Sequence, residues 1–98
     1  MGKPNTRPEG NPDTVDILAA WYELIVWNDD VNTFDWVIES LMEICHHTLE
    51  QATQCAYIIH FKGKYAVRKG SYELLHPMKE ALIDRGIQAT LSTCGEEV

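Results

Sequence analysis

The run Trp21 to Trp27, WYELIVW, is the feature that most narrows what this chain can fold into. Aromatic and β-branched residues dominate it, and it stops at the turn-forming Asn28, Asp29 and Asp30, so it predicts a buried strand running into a loop. Beyond the loop the period changes. Phe34, Val37, Ile38, Leu41, Ile44 and Cys45 recur at three- and four-residue intervals, the spacing of one helical face. Asn32 is placed to cap that helix, with Asp35 in the first turn, where the helix dipole favours an acid.

The next signals are equally local. Thr48 and Gln51 form a capping-box pair, and Leu49, Ala52, Cys55 or Ala56, and Ile59 continue an apolar stripe, so a second helix starts at Thr48 after a break behind His47. Gly63 permits a turn into Lys64 to Lys69, where Tyr65 and Val67 alternate with polar or small neighbours as in a strand. A third helix is expected from Ser71 to Arg85, stopped by Gly86, with Pro77 kinking or restarting it because proline lacks the backbone donor. Ile87, Ala89 and Leu91 alternate with polar residues and predict a last strand ahead of an acidic tail.

The resulting order is strand, helix, helix, strand, helix, strand. This is an α+β fold in which three helices cover one face of a small three-stranded sheet, mixed or antiparallel. Residues 1 to 19 hold three of the four prolines and no sustained apolar period, so they read as a flexible extension preceding a domain at 20 to 98.

Ninety-eight residues, 45% of them hydrophobic, suit one core and leave little room for a second. No stretch reaches the roughly 18 apolar residues of a membrane span, and the polar, proline-bearing start is unlike a targeting signal. Cys45, Cys55 and Cys94 are an odd, widely spaced set that suggests neither a disulfide framework nor a metal knuckle, and free thiols fit a reducing compartment such as the cytoplasm. The net charge of -7 argues against nucleic-acid binding, which needs clustered Lys and Arg. Pro8 through Phe61 contains ten acids and no Lys or Arg. Such a half is either a solvated acidic surface or a field that attracts a cationic ligand.

Three features bear on that choice: the loop Asn28, Asp29 and Asp30, the helix start from Asn32 to Val37, and His60 at the end of the second helix. A protonated α-amino group is a multiple donor with a full charge, so a site for it needs oriented acceptors and negative charge. Asn28 offers a carbonyl, the aspartates offer charge, and a neutral imidazole at His60 accepts one more bond. Val26, Phe34, Val37, Ile59 and Ile87 are candidates to line an apolar pocket beside it. Taken singly, each of these residues is as well explained as core, turn or cap.

Together they form a recognisable pattern. WNDDVNTFDWVIESLMEICHHTLEQATQ, a helix ending in His60, and KGKYAVRKGSYE resemble the ClpS family, bacterial and plastid adaptors of the Clp protease, from about Tyr22 to Leu91. The resemblance implies a fold similar to the carboxy-terminal domain of the ribosomal stalk protein and a non-enzymatic function. Such an adaptor binds the free α-amino group and bulky first side chain, Phe, Tyr, Trp or Leu, of N-degron proteins and delivers them to a Clp unfoldase.

By the same resemblance Asn28, Asp29, Asp30 and His60 hold the amine, and Asn32, where many relatives have threonine, helps hold the peptide backbone. The pocket positions are Val26, Phe34, Val37, Ala56, Ile59 and Ile87. Many relatives carry methionine at the positions of Phe34 and Ala56, and this exchange of two flexible side chains for a stiff large one and a small one is expected to favour aromatic first residues over leucine. Contact with the amino-terminal domain of a ClpA- or ClpC-type unfoldase falls on Glu73. The family's lysine falls on Met78, with Lys79 one step further. No cofactor, metal, nucleic acid or membrane is expected, and the chain is expected to be a monomer.

Two other readings remain. A metal-dependent hydrolase would use His46, His47, His60 and the nearby aspartates, yet adjacent histidines on a helix point about 100° apart and no HExxH pair is present. A modulator that meets the unfoldase but has lost terminal-residue recognition would not need Asn28, Asp29 and His60.

Overall fold

The structure is a computed structural model and describes residues 21–94; the expected extension at 1–19 and the acidic end at 95–98 lie outside it. Six elements follow the expected order: β1 Trp21–Trp27, α1 Phe34–Cys45, α2 Leu49–Lys62, β2 Lys64–Gly70, α3 Tyr72–Asp84 and β3 Ala89–Cys94. The sheet is antiparallel throughout, with β1 in the centre between β2 and β3. Tyr22, Leu24 and Val26 point from β1 into the core, where they meet Leu41 and Cys45 of α1, Ala52, Cys55 and Ile59 of α2, and Leu75 and Leu82 of α3. The strand's alternation thus selects one face for three helices.

β1 pairs with β2 with Leu24 opposite Arg68 and Ile25 opposite Ala66, leaving Val67 as an extra residue. This bulge turns Val67 into the core and leaves its carbonyl to His47 Nε2 at 3.0 Å. At the far end of β1, Trp27 Nε1 donates to Thr90 Oγ1 at 2.9 Å, and Lys64 Nζ lies 4.8 Å from the Trp27 ring centre.

Helix ends follow capping chemistry. Thr48 and Gln51 make the expected reciprocal box at the start of α2. α1 starts one residue later than Asn32 implies, because Thr33 Oγ1 accepts the Trp36 N–H while the Asn32 amide is engaged elsewhere. α1 stops at Cys45, and His46 takes the left-handed conformation at φ 62° as its cap. His46 and His47 therefore lie in the break between helices and not on a helical face.

α3 runs through Pro77 as one helix instead of restarting there. Proline's missing donor would have served the Glu73 carbonyl in the exposed first turn, where water can replace it. The end of α3 explains the late start of β3. Gly86, at φ 83°, donates to the Ile83 carbonyl, and Ile87 donates to the Leu82 carbonyl at 3.0 Å, the two bonds of a Schellman motif. Ile87 closes the helix, so the strand begins at Ala89.

Arg85 fastens this end of α3 to α1. Its guanidinium donates to the buried Ser40 hydroxyl at 3.3 Å, pairs with Glu43 at 2.7 Å and lies 5.3 Å from the Trp36 ring centre, while its carbonyl accepts the Trp36 indole N–H at 3.1 Å. Glu43 is half exposed, so the ion pair adds little by itself. The buried Ser40 hydroxyl matters more. Arg85→Ala is expected to lower stability by about 1–3 kcal/mol in urea unfolding, chiefly by removing that hydroxyl's partner.

Candidate functional site

A cavity of about 270 Å³ opens between the loop after β1, the start of α1 and the last two turns of α2. This is at the small end of ligand pockets, which run from about 300 Å³ upward, and suits one side chain better than an extended molecule. Asn28, Asp29, Asp30 and His60 line it with polar groups, together with Asn32 and Thr33, and Phe34, Val37, Ala56 and Ile59 supply apolar surface.

The start of the loop is held by backbone on both sides. Trp27 N–H donates to the Gln88 carbonyl at 3.0 Å, and Asn28 N–H donates to the Gly63 carbonyl at 2.9 Å. Gly63 is the α2 cap at φ 94°, a left-handed conformation that suits glycine, and its own N–H returns to the Ile59 carbonyl at 2.8 Å. His60 lies within this last turn, so the bond that fixes the loop also fixes the distance between the loop and the imidazole.

Inside the loop, Asp29 is the organiser. Its Oδ1 accepts the backbone N–H groups of Val31 and Asn32, both at 2.9 Å, and the Asn32 side-chain amide reaches both carboxylate oxygens at 3.1 and 3.0 Å. The same Asn32 Nδ2 donates to the Gly86 carbonyl at 2.8 Å, tying the loop to the turn after α3. The Asn32 backbone N–H is the main reason the Asp29 carboxyl is held below its ordinary pKa; partial burial opposes the shift, and the Val31 N–H and Asn32 amide add to it. Asn32 thus supports Asp29 from the side and from behind.

Asn28, Asp30 and His60 have side chains without hydrogen-bond partners among the described residues. His60 instead meets Phe34 and Phe61 edge-on, with ring centres 6.3 and 5.0 Å away. Phe34 packs edge-on against Tyr57 at 4.9 Å. Two residues expected in the pocket lie elsewhere: Val26 is fully buried in the core and Ile87 is 2% exposed behind the α3 cap, and neither is among the cavity's lining residues. Thr33, within the Asn32 to Val37 helix start, lines the cavity beside Asn32 although no role falls on it by sequence alone. The adjacent Asn-Thr pair was its sequence signal, since either residue can cap a helix.

Glu73 and Lys79 both lie on α3, which contributes no lining residue to this cavity. Glu73 is exposed, whereas Lys79 is half-buried and pairs with Glu80 at 3.3 Å. A second hollow, of about 390 Å³, lies between α2 and β2. Its histidine, His47, is kept below the ordinary pKa by burial, and its Nε2 proton is given to the Val67 carbonyl. Cys55, 3.9 Å from His47 Nδ1, and Cys45 are free thiols with raised pKa values, Cys45 to about 11, mainly through burial. Among the described residues no group of three or more His, Cys, Asp or Glu is placed to hold a metal ion, and no helix is long and apolar enough to cross a membrane.

The depressed Asp29 pKa carries a sign. Its contribution to stability is present above the unfolded value of about 3.9 and is lost as the pH falls through the folded value. Asp29→Asn is expected to be less stable than the native chain at pH 7, with the difference shrinking by pH 3 in urea unfolding; a pH-independent difference would contradict the loop's dependence on the carboxylate.

The family model described as ATP-dependent Clp protease adaptor protein ClpS matches residues 19–92. The ClpS adapter protein of Mycobacterium leprae is 32% identical over 89 residues, 91% of this chain and 82% of that protein. The ClpS adapter proteins of Campylobacter jejuni are 52% identical over 42 residues, so there the match spans less than half of either chain, 43% of this one and 44% of theirs. In fold, the chain is similar to Agrobacterium tumefaciens ClpS2, solved bound to L-phenylalaninamide, with a TM-score of 0.70 at 17% identity over 76% of this chain and 98% of that one. The matched span takes in the strand, the loop, the helices and the turn that build the cavity, and the chain belongs to the ClpS family of Clp protease adaptors.

Proposed function

We propose that this chain captures proteins by a free α-amino group together with a bulky first side chain, Phe, Tyr, Trp or Leu, and delivers them to a Clp unfoldase of the ClpA or ClpC type. The carrying observation is the cavity itself, in which polar side chains at Asn28, Asp30 and His60, unpartnered among the described residues, stand beside the apolar surface of Phe34, Val37, Ala56 and Ile59. The ammonium donates to the Asn28 carbonyl and the His60 imidazole under the negative potential of Asp29 and Asp30. The Asp29 carboxylate keeps acceptor capacity on Oδ2, which among the described residues takes only the Asn32 amide. The first side chain occupies the cavity, and Asn32 steadies the backbone that follows.

L-phenylalaninamide, held by the Agrobacterium relative, combines the same two features, a free α-amino group and a bulky aromatic side chain. Exposed Glu73, with Lys79 further along α3, is assigned to the unfoldase's amino-terminal domain. That helix lies outside the cavity, so substrate and unfoldase can be held together.

Neither term suffices alone. Burial of a Leu or Phe side chain contributes about 1.5–3 kcal/mol, and each hydrogen bond to the charged amine about 1.5–3 kcal/mol. Acetylating the amino terminus of a Phe-initiated peptide is therefore expected to weaken binding by at least about tenfold in fluorescence anisotropy. Affinity is also expected to fall as the pH rises through the α-amino pKa, about 8, because only the ammonium is bound. Equal binding of free and acetylated peptides would overturn the proposal.

Phe34 and Ala56 shape the selectivity. Phe34 is buttressed by Tyr57 at 4.9 Å, and Ala56 leaves room at the opposite helix, so the cavity offers a ring edge to a flat side chain. Peptides beginning with Phe, Tyr or Trp are expected to bind more tightly than one beginning with Leu, and equal or tighter binding of the Leu peptide would refute this preference.

A further inference from the structure

The cavity does not end at its own rim. Phe34 and His60, which line it, also belong to a cluster of four rings completed by Tyr57 and Phe61, which lie outside it. Tyr57 and Phe61 are one turn apart on α2, their rings stacked within 4° of parallel at 6.2 Å, and they are 52% and 76% exposed. Ala56 and His60, also one turn apart, face the cavity from the same helix. An exposed pair of parallel aromatic faces, joined through Phe34 and His60 to a site already shaped for one bulky side chain, forms a continuous track leading away from the cavity.

Resting on the proposed amino-terminal capture, we infer that Tyr57 and Phe61 form a second subsite that receives an aromatic or other bulky apolar side chain at the third position of the bound peptide. The pleat of an extended chain assigns the position. Successive side chains alternate, so the first and third point to the same side, about 6.6–7 Å apart along the strand. Tyr57 lies 4.9 Å from Phe34 and Phe61 lies 5.0 Å from His60, so each exposed ring is within one such stride of a ring that lines the cavity. The second side chain points the other way and makes no use of the rings. Flat rings stack on flat rings beyond what their buried area contributes, and a carboxylate gains nothing from the negative face of an aromatic. The subsite thus favours aromatic over aliphatic, and aliphatic over acidic, third residues.

The test uses the full chain and free-amine peptides that begin with Phe and carry Phe, Ala or Glu at position two or three, read by fluorescence anisotropy. Phe at position three is expected to bind about threefold to tenfold more tightly than Ala there, with Glu weaker still. The Phe-to-Ala ratio at position two is expected to be close to one. Phe61→Ala, and Tyr57→Ala with Phe61→Ala together, are expected to bring the position-three ratio to about one. Using the ratio removes any general effect of the substitutions on the cavity through Phe34 or His60, and Phe61 is exposed enough that its truncation leaves the core intact. An unchanged ratio in both variants, or a preference at position two instead, overturns the subsite while leaving amino-terminal capture standing. Failure of every peptide to bind, with or without acetylation, overturns both.

Discussion

The site depends on one backbone hydrogen bond, from the Asn28 N–H to the Gly63 carbonyl. It is a consequence of the sheet. β1 and β2 run antiparallel with Trp27 opposite Lys64, so the chain leaving the centre of the sheet must pass the residue that ends α2. Gly63 can take the left-handed turn this requires, and the final turn of α2 then presents His60 toward the loop. The register of two strands, specified by which face of β1 is apolar, thereby decides that an imidazole and a carboxamide share the edge of one cavity.

Electrostatic preparation comes from the loop's own donors. A carboxylate facing an apolar cavity would ordinarily be penalised, but Asp29 is supplied with two backbone N–H groups and the Asn32 amide before any ligand arrives. The loop is consequently ordered by its charge, and under the proposed function an incoming ammonium would meet acceptors that are already oriented, so less ordering would accompany binding.

Much of this was legible in the sequence, and the exceptions share a cause. The strand WYELIVW, the Thr48 and Gln51 capping box and the helical stripes are determined by neighbours within a few residues, and each element appears where its pattern puts it. Asn32 lies beside the apolar stripe as a helix cap would; its amide instead reaches a carbonyl 54 residues away, and Thr33 takes the cap. Ile87 alternates with Ala89 and Leu91 like a strand residue, yet the turn at Gly86 folds it back onto α3. Val26 shows the same limit, since an apolar residue next to the loop can face either the cavity or the core, and β1's pleat sends it into the core. Periodicity reveals local faces, whereas contacts between distant turns are set only when the layers close.

The Schellman turn at Gly86 carries a consequence for how this molecule can diversify. Its carbonyl receives Asn32, so the loop over the cavity rests on the end of a helix that contributes no lining residue to that cavity. Arg85, the neighbouring residue, ties that same end to Ser40 and Glu43 on α1. Small adjustments in how the third helix finishes would tilt the loop as a unit. Relatives of such a chain have a route to a reshaped cavity that leaves every residue lining it unchanged.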